Sequence, residues 1–170
     1  GIIINPLASS EVVLSKDEKE LGTAIVDVGG EITDISIYKN GSLQYTKLIP
    51  VGGVHITNDI SFGLKVPVSE AEVLKRQYGY AAVSMLQTIE NIGINSVGHG
   101  IPRTITNREL VDIIEARVQE IYYLVNKELE DSGFKNDLSG GVVITGGGLS
   151  FIKGTLEMAS SVINLPVRIG

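Results

Sequence analysis

The chain of 170 residues contains no cysteine, few basic residues and only two histidines, His55 and His99. Without cysteine there is no disulfide framework and no thiolate metal site, which is compatible with a reducing cytoplasm. Lysine and arginine total 14 against 20 aspartates and glutamates, a formal net charge of -6. The acidic residues are scattered and no basic stripe exists to neutralise phosphates, so nucleic acid is not an expected partner and an anionic membrane surface would repel the chain. Apolar runs fall short of the roughly 20 residues that a membrane span needs. The histidines fall in different predicted elements with no paired acidic spacing nearby, which argues against a metal site; His55 is expected to make a structural hydrogen bond. There is no G-x-S-x-G elbow and no recognisable pairing of Ser with His and Asp. The first residue is Gly1 and not Met, and Ile2, Ile3 and Ile4 follow without a charged leader. The opening therefore does not resemble a secretory signal, and we read the sequence as cut from a longer protein.

Glycine, by contrast, is plentiful, at 20 residues against five prolines. It clusters at Gly29 and Gly30, Gly52 and Gly53, Gly140 and Gly141, and Gly146 to Gly148, a pattern of tight turns between elements and not of a linker. A hydrophobic content of 43% suffices for one ordinary domain or two small lobes sharing a core. Thr23 to Val28 has the composition of a buried strand. Ile32 to Tyr38 alternates Ile35 and Ile37 with Asp34 and Ser36, the two-residue period of a second strand. Asn40-Gly41 predicts a type I′ hairpin turn, because both central positions of that turn need positive φ. Ser42 to Val51 is the returning strand.

Beyond Gly52-Gly53 a helix is predicted from about His55 to Leu64. A second follows from Ser69, where Ser69 and Glu72 match a capping box and Val68 and Val73 its hydrophobic staple. Period is lost between Gly79 and Thr106, which reads as a small β-containing insertion or a loop-rich lobe. Thr106 and Glu109 match another capping box, after which Leu110, Ile114, Val118, Ile121, Val125 and Leu129 recur at helical spacing until Gly133. A strand Val142 to Thr145, the triple glycine, a helix from about Ser150 to Ile163 and a closing strand at Pro166 to Ile169 complete the chain.

Two segments could carry chemistry. In Asp27-Val28-Gly29-Gly30-Glu31-Ile32-Thr33-Asp34, a glycine turn between strands aims amides at one spot and lets backbone approach an anion. Asp27 could hold a hydrated divalent cation there and Thr33 could donate a hydroxyl. In Val142 to Ser150, an apolar strand meets a helix through three glycines, leaving a side-chain-free surface where a nucleotide can lie against backbone. It is not the dinucleotide fingerprint, since no acidic residue ends a second strand about twenty residues on. Each turn taken alone reads equally well as packing geometry.

The order of motifs carries more than either turn. Pro6-Leu7-Ala8-Ser9-Ser10, the Asp27 to Asp34 hairpin, Ile49-Pro50-Val51-Gly52-Gly53, Thr57-Asn58-Asp59-Ile60, Ala71-Glu72 with Lys75, Val142 to Gly148 and Pro166-Val167-Arg168-Ile169-Gly170 follow one another over nearly the whole length. In this order they resemble the second lobe of the actin, sugar kinase and Hsp70 superfamily, and in detail the FtsA family of bacterial cell-division proteins. The resemblance implies an α/β, actin-like ATPase lobe of ribonuclease H type with a smaller inserted α/β subdomain. The larger subdomain would be 1–53 with 107–170, and the inserted, partner-binding one 54–106.

By the same resemblance, Asp27, Gly29, Gly30 and Thr33 match the second phosphate loop, with Asp27 organising Mg²⁺ through water. Gly146, Gly147 and Gly148 match the adenosine loop, and Glu72 and Lys75 lie on the helix facing ribose and base; an exposed, capped helix face accounts for the last two equally well. The implied cofactors are ATP and Mg²⁺, acting as conformational ligands with slow or absent turnover. The implied partners are the C-terminal tail of the tubulin-like FtsZ, with Arg103 and Arg108 as contacts for an acidic peptide, and further copies in a filament. A C-terminal amphipathic helix, without counterpart in this sequence, would reach the membrane, placing the protein in the cytoplasm at the inner face of the division site. Alternatives in the same superfamily are a nucleotide-free, pilus-assembly type module and a sugar or small-acid kinase. Glu31 stands where the family commonly has a third glycine. A carboxylate about 4 Å from a phosphate charge costs on the order of 4 kcal/mol at an effective dielectric near 20, whereas one turned to solvent costs little. The sequence leaves both open.

Overall fold

The computed structural model describes residues 13–95 and 101–170. The Pro6 to Ser10 motif and His99 lie outside the described residues. A short helix α1 (Lys16–Leu21) opens on a full capping box between Ser15 and Glu18, a start that the sequence reading passed over. Strands β1 (Thr23–Val28), β2 (Thr33–Lys39) and β3 (Ser42–Ile49) form an antiparallel meander. Asn40 and Gly41 both have positive φ, 54° and 79°, as the predicted hairpin requires.

Helix α2 (Gly53–Leu64) follows, then α3 (Val68–Tyr78). The capping box expected at Ser69 and Glu72 is absent. Helix α3 starts one residue earlier, its N-cap is Pro67 without a side-chain bond, and Glu72 is engaged elsewhere. The staple is absent too, since Val68 and Val73 are both exposed. The aperiodic stretch contains a hairpin of β4 (Asn91–Asn95) and β5 (Pro102–Thr106). Thr106 caps α4 (Asn107–Asp131) by accepting from the Glu109 amide at 3.2 Å. All six apolar positions picked out by helical spacing are fully buried along α4, and each contributes about 1.5–3 kcal/mol of burial.

Strand β6 (Val142–Thr145), helix α5 (Thr155–Ile163) and strand β7 (Val167–Ile169) close the chain. Helix α5 begins at Thr155 and not at Ser150: Gly154, at φ 85°, is its N-cap, and Ser150 and Phe151 belong to a turn that starts at Gly148. The triple glycine therefore does not stand at the start of α5; the helix N-terminus beside it is that of α2, whose Gly53 abuts Gly148.

The five-stranded sheet has the order β3-β2-β1-β6-β7, with β6 parallel to both β1 and β7. β1 is central and buried on both faces except at Asp27. Its alternate residues divide two clusters. Ala24, Val26 and Val28 pack with α4 and α5, while Ile25 packs with Tyr38, Val143 and Leu14 on the opposite face. The first cluster runs without a break into Ile56 and Ile60 of α2 and Ile92, Ile94 and Ile105 of the β4-β5 hairpin.

Candidate functional site

Because β1 and β6 are parallel and Asp27 lies beside Thr145, the bends after both strands leave the sheet at the same edge. The two bends touch. The Gly148 amide donates to the Val28 carbonyl at 2.8 Å, and the Gly53 and Val54 amides donate to the Gly29 and Gly30 carbonyls at 3.0 and 2.8 Å. Three glycine-bearing bends thus meet backbone to backbone. A Cβ at Gly52, Gly53 or Gly148 would overlap a carbonyl of a neighbouring bend, so close approach alone explains these glycines.

Gly30 and Gly147 are different. A Cβ at Gly147 would meet nothing within 4 Å, and one at Gly30 only a methyl of Val54 at 3.8 Å. Both line a cleft of about 270 Å³, and the space in front of them is the cleft itself. The amides of Gly53 and Gly148 are spent on joining the bends, and that of Gly29 on closing its own turn onto the Ile32 carbonyl. Among the described residues, those of Gly30, Glu31 and Gly147 are not used in this way.

The facing wall comes from α2 and α3: Gly53, Val54, Glu72, Lys75 and Arg76. Lys75 is buried, and its ammonium donates to Glu72 Oε2 at 2.8 Å, the Thr57 hydroxyl at 2.9 Å and the Gly53 carbonyl at 3.3 Å. All three donors are occupied. Glu72 also accepts from the Thr57 hydroxyl at 2.6 Å and from Arg76 Nε at 3.0 Å. Burial pushes the Glu72 carboxyl upward, but hydrogen bonds from Lys75, Thr57 and Arg76 outweigh it and hold the group down at about 2.

The residues expected from sequence separate into groups. Gly30, Glu72, Lys75, Gly147 and Gly148 converge on the cleft. Asp27 is half-buried at the end of β1, opposite Asp34 on β2. Asp34 sits above the usual carboxylate range because it is desolvated and because Asp27 is negative. Gly146, at φ 95°, has no room for a Cβ because the Asp27 carboxylate occupies it. Gly29 lies behind Gly30, joined to the Ile32 carbonyl at 2.9 Å. Thr33 is fully buried and donates its hydroxyl to the Val51 carbonyl at 2.8 Å; it fastens β2 to the chain entering α2. Glu31 is exposed and does not line the cleft. Arg103 on β5 and Arg108 in the first turn of α4 are exposed and also lie outside it. His55 Nδ1 accepts from the Gly52 amide at 3.0 Å, the structural bond expected of it.

Sequence reasoning missed Arg76 and Phe151, which complete the cleft. Phe151 stands three residues past the last glycine of its bend, and Arg76 follows Lys75 directly; both were readable as neighbours of the motifs, but only folding stacks them. A larger hollow of about 550 Å³ lies at the other end of the sheet, between Lys135, Asn136, Ser139 and Asn164. Its lysine is already held by Asn126 at 2.6 Å and Glu130 at 3.6 Å, and no glycine bend converges there. Among the described residues there is no cluster of three metal-ligating side chains and no helix long and apolar enough to cross a membrane.

Comparisons with known proteins bear on the family and the fold. The family described as "Cell division protein FtsA" matches residues 24–170. The chain is 43% identical over 170 residues to the cell division protein FtsA of Neisseria meningitidis, covering 99% of this chain and 41% of that protein. It is 42% identical over 168 residues to FtsA of Bacillus subtilis, covering 99% of this chain and 38% of that one. The chain therefore spans about two-fifths of the length of these relatives. Among solved structures, MreB5 of Spiroplasma citri bound to ADP superimposes with a TM-score of 0.74 at 23% identity, over 91% of this chain and 50% of that one. That likeness concerns the fold, which is the expected actin-like α/β lobe. On the family match and the identity across almost every residue, the chain belongs to the FtsA family of cell division proteins.

Proposed function

We propose that this chain forms one wall of a Mg-ATP cleft in an actin-like scaffold that links FtsZ filaments to the membrane at the division site. The observation that carries the reading is the contrast among the glycines. Those at the junction are compelled by backbone contact, whereas Gly30 and Gly147 line the cleft with room for a Cβ, which would meet only a Val54 methyl at Gly30 and nothing within 4 Å at Gly147. Phosphates would lie against the bend at Gly30, met by backbone amides, and the adenosine against the bend at Gly147. Glu72 would accept a ribose hydroxyl, with Lys75 holding it in place.

The donor set fits a hydrated Mg²⁺. Asp27 and Asp34 are side by side at strand ends, and burial together with the Asp27 charge disfavours the ionised form of Asp34, a repulsion that a divalent cation relieves. Such an ion would screen the phosphates through its waters, with Asp27 as its organising ligand. The opposing wall would belong to the part of the relatives' length that this chain does not span. Nucleotide would then favour a closed, filament-forming state by differential affinity, with slow or absent turnover. Exposed Arg103 and Arg108 would meet the acidic tail peptide of FtsZ, and an amphipathic helix beyond this chain would reach the cytoplasmic face of the membrane.

The test is a titration of a protein of the relatives' full length, carrying this chain, with ATP in the presence and absence of Mg²⁺. Saturable, Mg²⁺-dependent binding is expected; none under either condition removes the nucleotide reading. Capture of the same protein by an immobilised FtsZ tail peptide checks the partner, and no retention at high micromolar peptide removes it. Arg103→Glu with Arg108→Glu should abolish that retention.

A further inference from the structure

Asn40 and Gly41, the tip of the β2-β3 hairpin, have no part in the roles assigned above. They form the sole Asn-Gly pair in the sequence, and both are exposed. Asn-Gly is the pair most prone to lose side-chain ammonia, because glycine leaves its own nitrogen unshielded. That nitrogen attacks the Asn side-chain carbonyl, a five-membered imide forms, and water opens it. In this fold the nitrogen is engaged. The Gly41 amide donates to the Lys19 carbonyl and the Asn40 amide to the Glu20 carbonyl, each at 3.1 Å. Both carbonyls belong to the last turn of α1, where helical carbonyls lack partners within the helix. The hairpin tip thus caps α1, and α1 holds the proton that the reaction must remove. Two further contacts seat α1. Arg168 on β7 forks onto the Glu18 carboxylate at 3.1 and 2.8 Å and donates to the Val13 carbonyl at 2.6 Å, and the Lys19 ammonium lies 5.8 Å from the centroid of the Tyr38 ring.

We infer that Asn40 is a site of spontaneous deamidation and that the seating of α1 sets its rate. When α1 lifts, the Gly41 nitrogen gives its proton to solvent base and bonds to Asn40 Cγ; the Cγ–Nδ2 bond breaks and ammonia leaves. Water then adds to either imide carbonyl, giving aspartate or isoaspartate at position 40. Neither product re-seats as the amide did. Each puts a carboxylate beside the negative end of α1 and close to Glu20, whose Oε2 would lie 3.1 Å from a Cβ on Gly41. Isoaspartate also lengthens by one backbone atom a turn whose two residues both sit at positive φ, a geometry that the tight hairpin demands. Once formed, either product therefore loosens the contact between the hairpin tip and α1.

The experiment ages the full-length protein at mildly alkaline pH, native and unfolded in urea, and follows the peptide containing Asn40 by mass spectrometry as its amide becomes a carboxyl. The native rate should be lower than the unfolded rate by about tenfold or more, the protection of an amide that must open before it reacts. Arg168→Ala should speed the native reaction about 2- to 5-fold, the worth of one partly exposed ion pair, and leave the rate in urea unchanged. Arg168→Lys keeps the charge without the fork and should fall between; it tests the same point if the alanine variant folds poorly. Asn40→Asp should abolish the mass gain in this peptide and speed hydrogen exchange at the Gly41 amide. No conversion at Asn40 in urea overturns the site. Equal native and unfolded rates overturn the protection, and native rates for both Arg168 variants that match wild type overturn the control by α1.

Discussion

Gly148 donates its amide to the carbonyl of Val28 at 2.8 Å, so the bend after β6 is tied to the bend after β1 by backbone alone. Its neighbour Gly147 has open space at the Cβ position. The two residues should therefore respond oppositely to the same methyl group. Gly148→Ala drives a Cβ into the Gly29 and Val28 carbonyls and should cost about 1–3 kcal/mol of stability. Gly147→Ala should change stability by less than about 0.5 kcal/mol and yet weaken ATP binding, because the methyl enters the cleft. Urea denaturation paired with ATP titration checks both. Equal destabilisation by the two variants would remove the distinction on which the nucleotide reading leans.

Glu72 makes a second prediction through pH. Its folded carboxyl is held at about 2, below its ordinary 4.5. Folding thus favours the ionised form. The resulting stability is fully present above the unfolded value and is lost as pH falls through the window from about 5 to about 2. Glu72→Gln should flatten that part of the acid limb of stability. At neutral pH it leaves buried Lys75 without its anion and should cost about 1–3 kcal/mol. Chemical denaturation from pH 7 to pH 3 measures both effects, and superimposable acid limbs for wild type and variant would refute the assignment.

Much of this was legible in the sequence because local signals agreed with the tertiary result. The Asn40-Gly41 turn, the six-residue apolar row of α4 and the strand at Val142 each needed only neighbours within a few positions. The failures at Glu72 and Thr33 share one physical cause. Ser69 and Glu72 satisfy the capping pattern, but Glu72 gains more from Lys75, Thr57 and Arg76 than from a backbone amide. Thr33 has the right place for a phosphate hydroxyl, but the Val51 carbonyl, eighteen residues away, takes it. The start of α5 was displaced because Gly154 adopts the left-handed conformation as its N-cap. Side chains with several suitors are decided by long-range partners, which periodicity does not encode.

Glu31 supplies the third prediction. A carboxylate in the cleft would repel phosphate, but Glu31 is exposed and outside the lining, so solvent screens it. Glu31→Gly should accordingly bind ATP within about twofold of wild type at physiological ionic strength, with at most a slightly larger difference at low salt. A gain of tenfold or more, on the order of 1.4 kcal/mol, would mean that the carboxylate does reach the phosphates.

The fourth prediction concerns what holds α2, which carries Gly53 into the junction, against α4. Arg117 on α4 grips Asp59 on α2 with two hydrogen bonds, 2.6 Å from Nε and 2.9 Å from Nη2. Both side chains are partly buried, at 25% and 30% exposure, so the pair should exceed a typical surface ion pair. A double-mutant cycle with Asp59→Ala and Arg117→Ala should give a coupling of about 1 kcal/mol that persists in moderate salt. The single variants should not be equal. Removing Asp59 leaves Arg117 paired with Glu120 at 3.2 Å, whereas removing Arg117 leaves a half-buried carboxylate without its cation. Arg117→Ala should therefore be the costlier change. Because α2 starts at Gly53, that loss should also loosen the glycine junction and weaken ATP binding. If Arg117→Ala lowers stability without touching ATP affinity, the helix pair supports the fold and not the cleft.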